Sequence, residues 1–270
     1  GDMTRVPGST SSLLKEQAEG RSVSIVYSPL DALKLAQGNP DQQIVFVGVG
    51  FETTTPLVAM AIKRAKALGL KNFSVFVAHK NMPGALETIV SDPSLRIDAL
   101  ILPGHVSTII GMKPYEFLAK KYGIPGVITG FEAVDVLQGV AMIMRQLHEG
   151  RAEIEIAYTR GVAPEGNQVA VAAINEVFHT VDATWRGLGV IPGSGYAIRP
   201  EFAEFDAFQR FEPAVEPTQE PKGCRCGDVL RGMMAPNECP LFRKVCTPEN
   251  PVGPCMVSSD GSCAAYFRYL

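Results

Sequence analysis

Cysteine is missing from the first 223 residues of this 270-residue chain. No apolar run approaches the roughly 18 residues that a membrane helix requires, so the expectation is a chain that spans no bilayer. No Lys/Arg block exceeds two residues and the formal charge is −3, which argues against generic nucleic-acid binding through a basic stripe. Hydrolase signatures are missing as well. There is no His-Glu-x-x-His, and Ser194 in Gly193-Ser194-Gly195 lacks the strand–turn–helix setting of a nucleophile. The opening Gly1-Asp2-Met3 has no charged-then-apolar signal segment and no Met at position 1, so the expectation is a cytoplasmic protein, processed or fragmentary.

What is present is a globular composition, 46% hydrophobic and 20% charged, which excludes wholesale disorder. From residue 23 to about 178 the pattern alternates strand with helix. Strands are expected at Val23–Tyr27, Ile44–Val49, Phe73–Ala78, Ala99–Leu102, Gly126–Thr129 and Ile154–Tyr158. Their continuous apolar runs suit parallel strands covered on both faces. Helices are expected at Asp31–Gln37, Pro56–Leu68, Gly84–Val90, Pro114–Lys121, Ala133–Glu149 and Gln168–His179. The fold class is therefore α/β, with open, mostly parallel sheets flanked by helices. Gly50-Phe51-Glu52 and Gly130-Phe131-Glu132, each following a strand, suggest two related α/β units. The expected division is 1–22 as a leading segment, 23–192 as the α/β body and 193–223 as an extended, proline-broken connector. Residues 224–270 form a Cys-rich segment that aliphatic burial alone cannot hold.

Three candidate chemical residues follow strands directly. Glu52, His105 and Glu132 sit where ligands of open α/β sheets bind. Acids in a first helical turn also simply favour the helix dipole. The glycines at residues 48 and 50 can cradle an anion, but the dinucleotide fingerprint fails at Thr53 and no P-loop exists.

All six cysteines lie between Cys224 and Cys263. Cys226, Cys239, Cys246 and Cys263 are separated by 12, 6 and 16 residues, with Cys224 and Cys255 beside them. No paired zinc knuckle occurs, and wide spacing with flanking prolines suits an iron–sulfur cluster. Structural zinc and redox disulfides remain open alternatives.

Several stretches resemble one family, HypD, of [NiFe]-hydrogenase maturation factors. They are Gly1-Asp-Met-Thr-Arg-Val-Pro-Gly8, Ile25-Val-Tyr-Ser-Pro-Leu-Asp-Ala-Leu-Lys-Leu-Ala36, Gly50-Phe-Glu-Thr-Thr-Thr-Pro56, Pro103-Gly-His-Val-Ser107 and Gly130-Phe-Glu132. Trp185-Arg-Gly-Leu-Gly189 and Met256-Val-Ser-Ser-Asp-Gly-Ser-Cys-Ala-Ala265 continue the likeness to the end of the chain. The resemblance implies a [4Fe–4S] cluster on Cys226, Cys239, Cys246 and Cys263. It implies an assembly scaffold that, with a HypC-type chaperone, holds a transient Fe(CN)2CO unit while HypE and HypF supply cyanide. The cluster would supply electrons, and Glu52, His105 and Glu132 would face the cleft holding the iron. Cys224 and Cys255, left over from the ligand set, can form a reversible redox pair. The family's N-terminal Cys-Gly-Gly-His motif and Cys-x-x-Cys pair are absent from this sequence, so the resemblance implies a truncated chain without the iron-holding thiolate, its residues 1–22 a remnant of an N-terminal α/β domain. Asp260 stands where the family commonly has Glu. Two other functions compete: an α/β iron–sulfur oxidoreductase acting on a small ligand near His105, and a zinc-stapled binding module.

Overall fold

The computed structural model describes residues 2–8, 10–185, 188–215 and 221–270. In chain order the first elements are α1 (Leu13–Ala18), α2 (Pro29–Gly38), β1 (Ile44–Gly50), α3 (Thr55–Ala67), β2 (Phe73–His79) and α4 (Met82–Val90). Next come β3 (Leu100–Pro103), α5 (Gly104–Ile110), α6 (Glu116–Tyr122), β4 (Gly126–Thr129), α7 (Ala133–Glu149), β5 (Ile154–Ile156) and α8 (Gln168–Val177). The chain closes with β6 (Phe178–Trp185), β7 (Gly189–Ile198), α9 (Ala207–Phe211), α10 (Cys226–Leu230), α11 (Pro254–Val257) and α12 (Ser262–Tyr269).

Local chemistry sets many of these boundaries. Ser28 caps α2, its Oγ accepting from Leu30 N at 3.2 Å, and Pro29 fills the first helical position, where a missing N–H costs nothing. Asn81 caps α4 in the same way, accepting from Gly84 N at 3.2 Å. Gly150, at φ +67°, ends α7 in the left-handed conformation that only glycine adopts without strain.

Two compact units result: residues 27–183 with 191–212, and residues 1–26 with 184–190 and 213–270. The larger unit is α/β, with parallel sheets flanked by helices. It holds a two-stranded parallel sheet, in which β1 pairs β2 from Ile44↔Phe73 to Gly50↔His79. A second sheet runs β3-β4-β5, also parallel. One core joins α2, α3 and α8 to the first sheet through Ala59, Ile62, Phe73, Val75 and Val177. Another gathers Leu102, Tyr115, Leu118 and Ile128 around the second sheet. β4 is buried at every residue, as its apolar run requires, whereas β1 alternates and leaves Val45 and Val47 exposed. Both Gly-Phe-Glu corners fall between a strand and a helix, β1 to α3 and β4 to α7.

Several expectations fail for identifiable reasons. Val23–Tyr27 carries strand-forming residues but forms no strand, since composition cannot supply a ladder partner. The helix expected to His179 ends at Val177, and Phe178–Trp185 becomes β6 with no glycine or proline to announce the switch. The extended connector expected from residue 193 is instead folded as far as Phe211. β7 runs to Ile198, and Pro200 opens a 3-10 turn through Phe205. Ile198, Phe202 and Phe205 are buried there, so the prolines start turns rather than forbid structure. The smaller unit also draws residues 1–26 together with the Cys-rich tail, a division unlike the four-part scheme expected from composition.

Candidate metal centre

In the smaller unit the aliphatic core is replaced by sulfur. Cys226, Cys246, Cys255 and Cys263 are buried together with Phe242, Met256 and Ala264, and Cys224 and Cys239 pack against them half-exposed. Short elements deliver the thiols. Cys226 opens α10, Cys255 lies in α11 and Cys263 lies in the first turn of α12. Cys239 follows the 3-10 turn Pro236–Glu238. Gly253 permits this crowding, because a side chain there would strike the sulfurs of Cys224 and Cys226. All six thiols are free.

The Sγ atoms of Cys226, Cys255 and Cys263 lie within 4.8 Å of one another. Cys224 Sγ is 3.4 Å from Cys226 Sγ. Cys224, Cys226, Cys239, Cys246 and Cys263 line one small pocket whose remaining wall is largely Val229, Leu241, Phe242 and Met256. Val252 N–H donates to Cys246 Sγ at 3.4 Å. Contact with Cys226, and then burial, pushes the Cys255 thiol up to about 12. Packed thiols in an apolar wall resist ionising, and a bound cation reverses that resistance. The arrangement fits a soft, thiolate-bound metal.

The structure brings Cys226 and Cys263 together with Cys255, which the sequence reading had set aside as a spare. Cys239 and Cys246 share the pocket wall, outside the close trio. Cys224 has Cys226 as its close sulfur neighbour. Spacing along the chain could not single out Cys255, although Gly253-Pro254 beside it marks a close backbone approach.

The three candidates of the larger unit lie in different settings. Glu52 is buried, and its Oε1 accepts from Met82 N at 2.9 Å, so it caps α4. Burial raises its carboxyl above the ordinary value. His105 is exposed at the start of α5, its ring 4.3 Å from that of Phe131. Glu132 is exposed and paired with Arg160 at 3.3 Å. Arg160 also grips the buried Asp135 with both terminal nitrogens, at 2.6 and 2.7 Å, and those bonds hold the Asp135 carboxyl below its usual range. Sequence reasoning missed Arg160, Asp135 and the buried Tyr115, whose hydroxyl lies 3.5 Å from Ser107 Oγ in α5. Only the helix-start position of Asp135 signalled any of them.

One unit with parallel sheets flanked by helices, and another with a thiol-walled pocket that could hold a metal, define the class: an α/β protein with a Cys-rich candidate metal site. The chain belongs to the HypD family of hydrogenase maturation factors: the family model described as "HypD: Hydrogenase formation hypA family" matches residues 1–270. It is 50% identical to the hydrogenase expression/formation protein HupD of Azotobacter chroococcum, over all of this chain and 73% of that protein. It is 49% identical to the hydrogenase maturation factor HypD of Azotobacter vinelandii, again over the whole chain and 73% of the relative. The HypD of Escherichia coli is 45% identical, with 72% of it covered.

Proposed function

We propose that this chain is an iron–sulfur scaffold of hydrogenase maturation, with a [4Fe–4S] cluster held by Cys226, Cys239, Cys246 and Cys263. With a HypC-type chaperone it would assemble the Fe(CN)2CO unit, with HypE and HypF supplying cyanide. The observation that carries this reading is the gathering of the chain's thiols around one pocket, these four among its lining residues. A bound cluster supplies electrons one at a time. The chain's own residues do the rest: the thiols hold it, while Val229, Leu241 and Phe242 keep water from the sulfurs. Glu52, His105 and Glu132 are the groups able to hold or move a proton at the strand ends. Cysteines gathered as metal ligands suit a reducing compartment, which supports a cytoplasmic location.

A second ligand set has its own support, because Cys255 stands with Cys226 and Cys263 in the tight trio. Anaerobic purification followed by iron, zinc and acid-labile sulfide analysis tests the reading. Equal iron and sulfide in a brown protein is the expected result, and a colourless protein with one zinc would sink it. Co-purification with a HypC-type partner, together with cyanide and carbonyl infrared bands on the pair, tests the scaffold role. A pair that forms with its cluster intact yet never shows those bands would leave an iron–sulfur protein that is not the scaffold.

A further inference from the structure

One short stretch of the smaller unit meets the thiols at three points. The N–H of Val252 donates to Cys246 Sγ at 3.4 Å. Gly253 lies so close to two more sulfurs that a Cβ there would stand 2.5 Å from Cys224 Sγ and 2.6 Å from Cys226 Sγ. Cys255 completes the trio with Cys226 and Cys263. The strap that carries these contacts is residues 248–257, in which Pro248, Pro251 and Pro254 have no N–H to donate. Behind it, residues 249–251 face a cavity of about 280 Å3 shared with Arg5, Ser12 and Lys15. A strap poor in donors, with open space at its back, needs a hold from outside itself.

Arg5 supplies that hold at both ends. One terminal nitrogen of its guanidinium donates to the Pro248 carbonyl at 3.5 Å, and the other to the Val257 carbonyl at 3.3 Å. Val257 closes α11, where carbonyls lack helical partners and a cation is favoured. The two bonds leave one rigid plane, so the first and last residues of the strap are fixed relative to each other. All of these residues belong to the smaller unit. We propose that Arg5 is a positioning residue of the metal centre. It keeps the strap pressed on the thiols and, with no lone pair to offer, touches no metal itself. While the strap is held, the Val252 N–H stays on the Cys246 sulfur and Gly253 stays over Cys224 and Cys226. Once released, the strap can swing into the cavity behind it and open the sulfurs to water and to competing ligands. This inference rests on reading the thiol-walled pocket as a metal centre. It holds for either ligand set, since the strap reaches Cys246 and also carries Cys255.

Metal release from the anaerobically purified 270-residue chain tests it, in the parent, Arg5→Met and Arg5→Lys. Loss to excess chelator is followed with a dye for iron and, in separate runs, a dye for zinc. Arg5→Met should release its metal at least about tenfold faster than the parent, the scale on which outer-shell losses act. Arg5→Lys keeps the charge but not the two-pronged plane, so its rate should fall between the two. Electron paramagnetic resonance of the reduced, iron-loaded protein should show a changed line shape in Arg5→Met. Hydrogen exchange in β2 and β4 should match the parent in both variants, which confirms that the larger unit is folded. Release from Arg5→Met as slow as from the parent would overturn the proposal. Arg5→Lys as slow as the parent would overturn the two-ended hold, leaving charge alone. Faster release with an unchanged line shape would also overturn it, making Arg5 a prop of the whole smaller unit. A parent chain loaded with zinc would sink the iron–sulfur reading and leave this test standing, because release of either metal is followed.

Discussion

At the scale of single residues, the thiols carry the sharpest expectations. If the family ligand set holds the cluster, Cys226→Ala, Cys239→Ala, Cys246→Ala and Cys263→Ala should each lose most bound iron, because metal binding here is folding energy. Cys224→Ala and Cys255→Ala should keep it. Iron retained in Cys239→Ala or Cys246→Ala but lost in Cys255→Ala would instead make the close trio the ligand core. A second expectation concerns His79, buried at the end of β2 and pushed down to about 4 by burial. A depressed imidazole takes up its proton in the unfolded chain first. Its stabilising contribution is therefore complete above pH 6.5 and is lost as pH falls towards about 4. The loss amounts to about 3 kcal/mol. Urea titrations from pH 7 down to 4 should show that slope in the native chain and a much flatter one in His79→Leu. Equal slopes would mean that His79 is solvated. Neither point was legible beforehand. Spacing counted Cys255 as a spare because distance along the chain says nothing about convergence, and nothing local to His79 signals its burial. The Glu52 and Glu132 corners were legible as positions, but their settings, one buried and capping, the other exposed and ion-paired, depend on contacts far away in sequence.

At the scale of elements, the readable boundaries were those with local chemistry behind them. β4 and α7 match their expected limits at both ends, since Pro125 and Gly150 punctuate the sequence. Where no such residue stands, as between α8 and β6, periodicity ran on too far. The prolines after residue 193 misled in the opposite sense, because Pro200 opens a buried turn instead of breaking one. The contact of α7 with β4 yields a prediction against helix propensity. Gly139 sits inside the helix, where alanine is ordinarily favoured by about 1 kcal/mol. A Cβ there would collide with the buried methyl of Thr129. Gly139→Ala should thus destabilise the larger unit by about 1–3 kcal/mol, the usual cost of overpacking. Thermal melting decides the sign, and Thr129→Ser in the same chain should relieve most of the loss. A Gly139→Ala variant more stable than the parent would show that the helix simply shifts.

At the scale of the whole molecule, the two units rest on different kinds of core. The larger is held by aliphatic and aromatic side chains such as Ile62, Phe73, Leu118 and Ile128. The smaller is held by cysteines with Phe242 and Met256, and offers little apolar area to fold on its own. Stripping metal with a chelator under reducing conditions should therefore loosen the smaller unit alone. Hydrogen exchange would then quicken in peptides from residues 224–270 while β2 and β4 stay protected. Uniform loss of protection through both sheets would refute this division. Among the described residues no helix is long and apolar enough to cross a membrane.

The smaller unit is also assembled from three separated stretches of chain. Arg5 donates to the carbonyl of Val257, 252 residues away, at 3.3 Å. A ribosome makes these partners far apart in time, with almost the whole larger unit emerging in between. The aliphatic unit can fold while synthesis continues, since its contacts close within sequence already made. The cysteine unit cannot, because its thiols, from Cys224 to Cys263, are all made after the larger unit's last residue, Glu212. Its completion waits for Cys263, while residues 1–26 of the same unit are made long before. Slow closure of so long a loop leaves an interval in which nascent thiols stand open. The supply of metal, rather than the rate of synthesis, would then decide how many chains reach the native state.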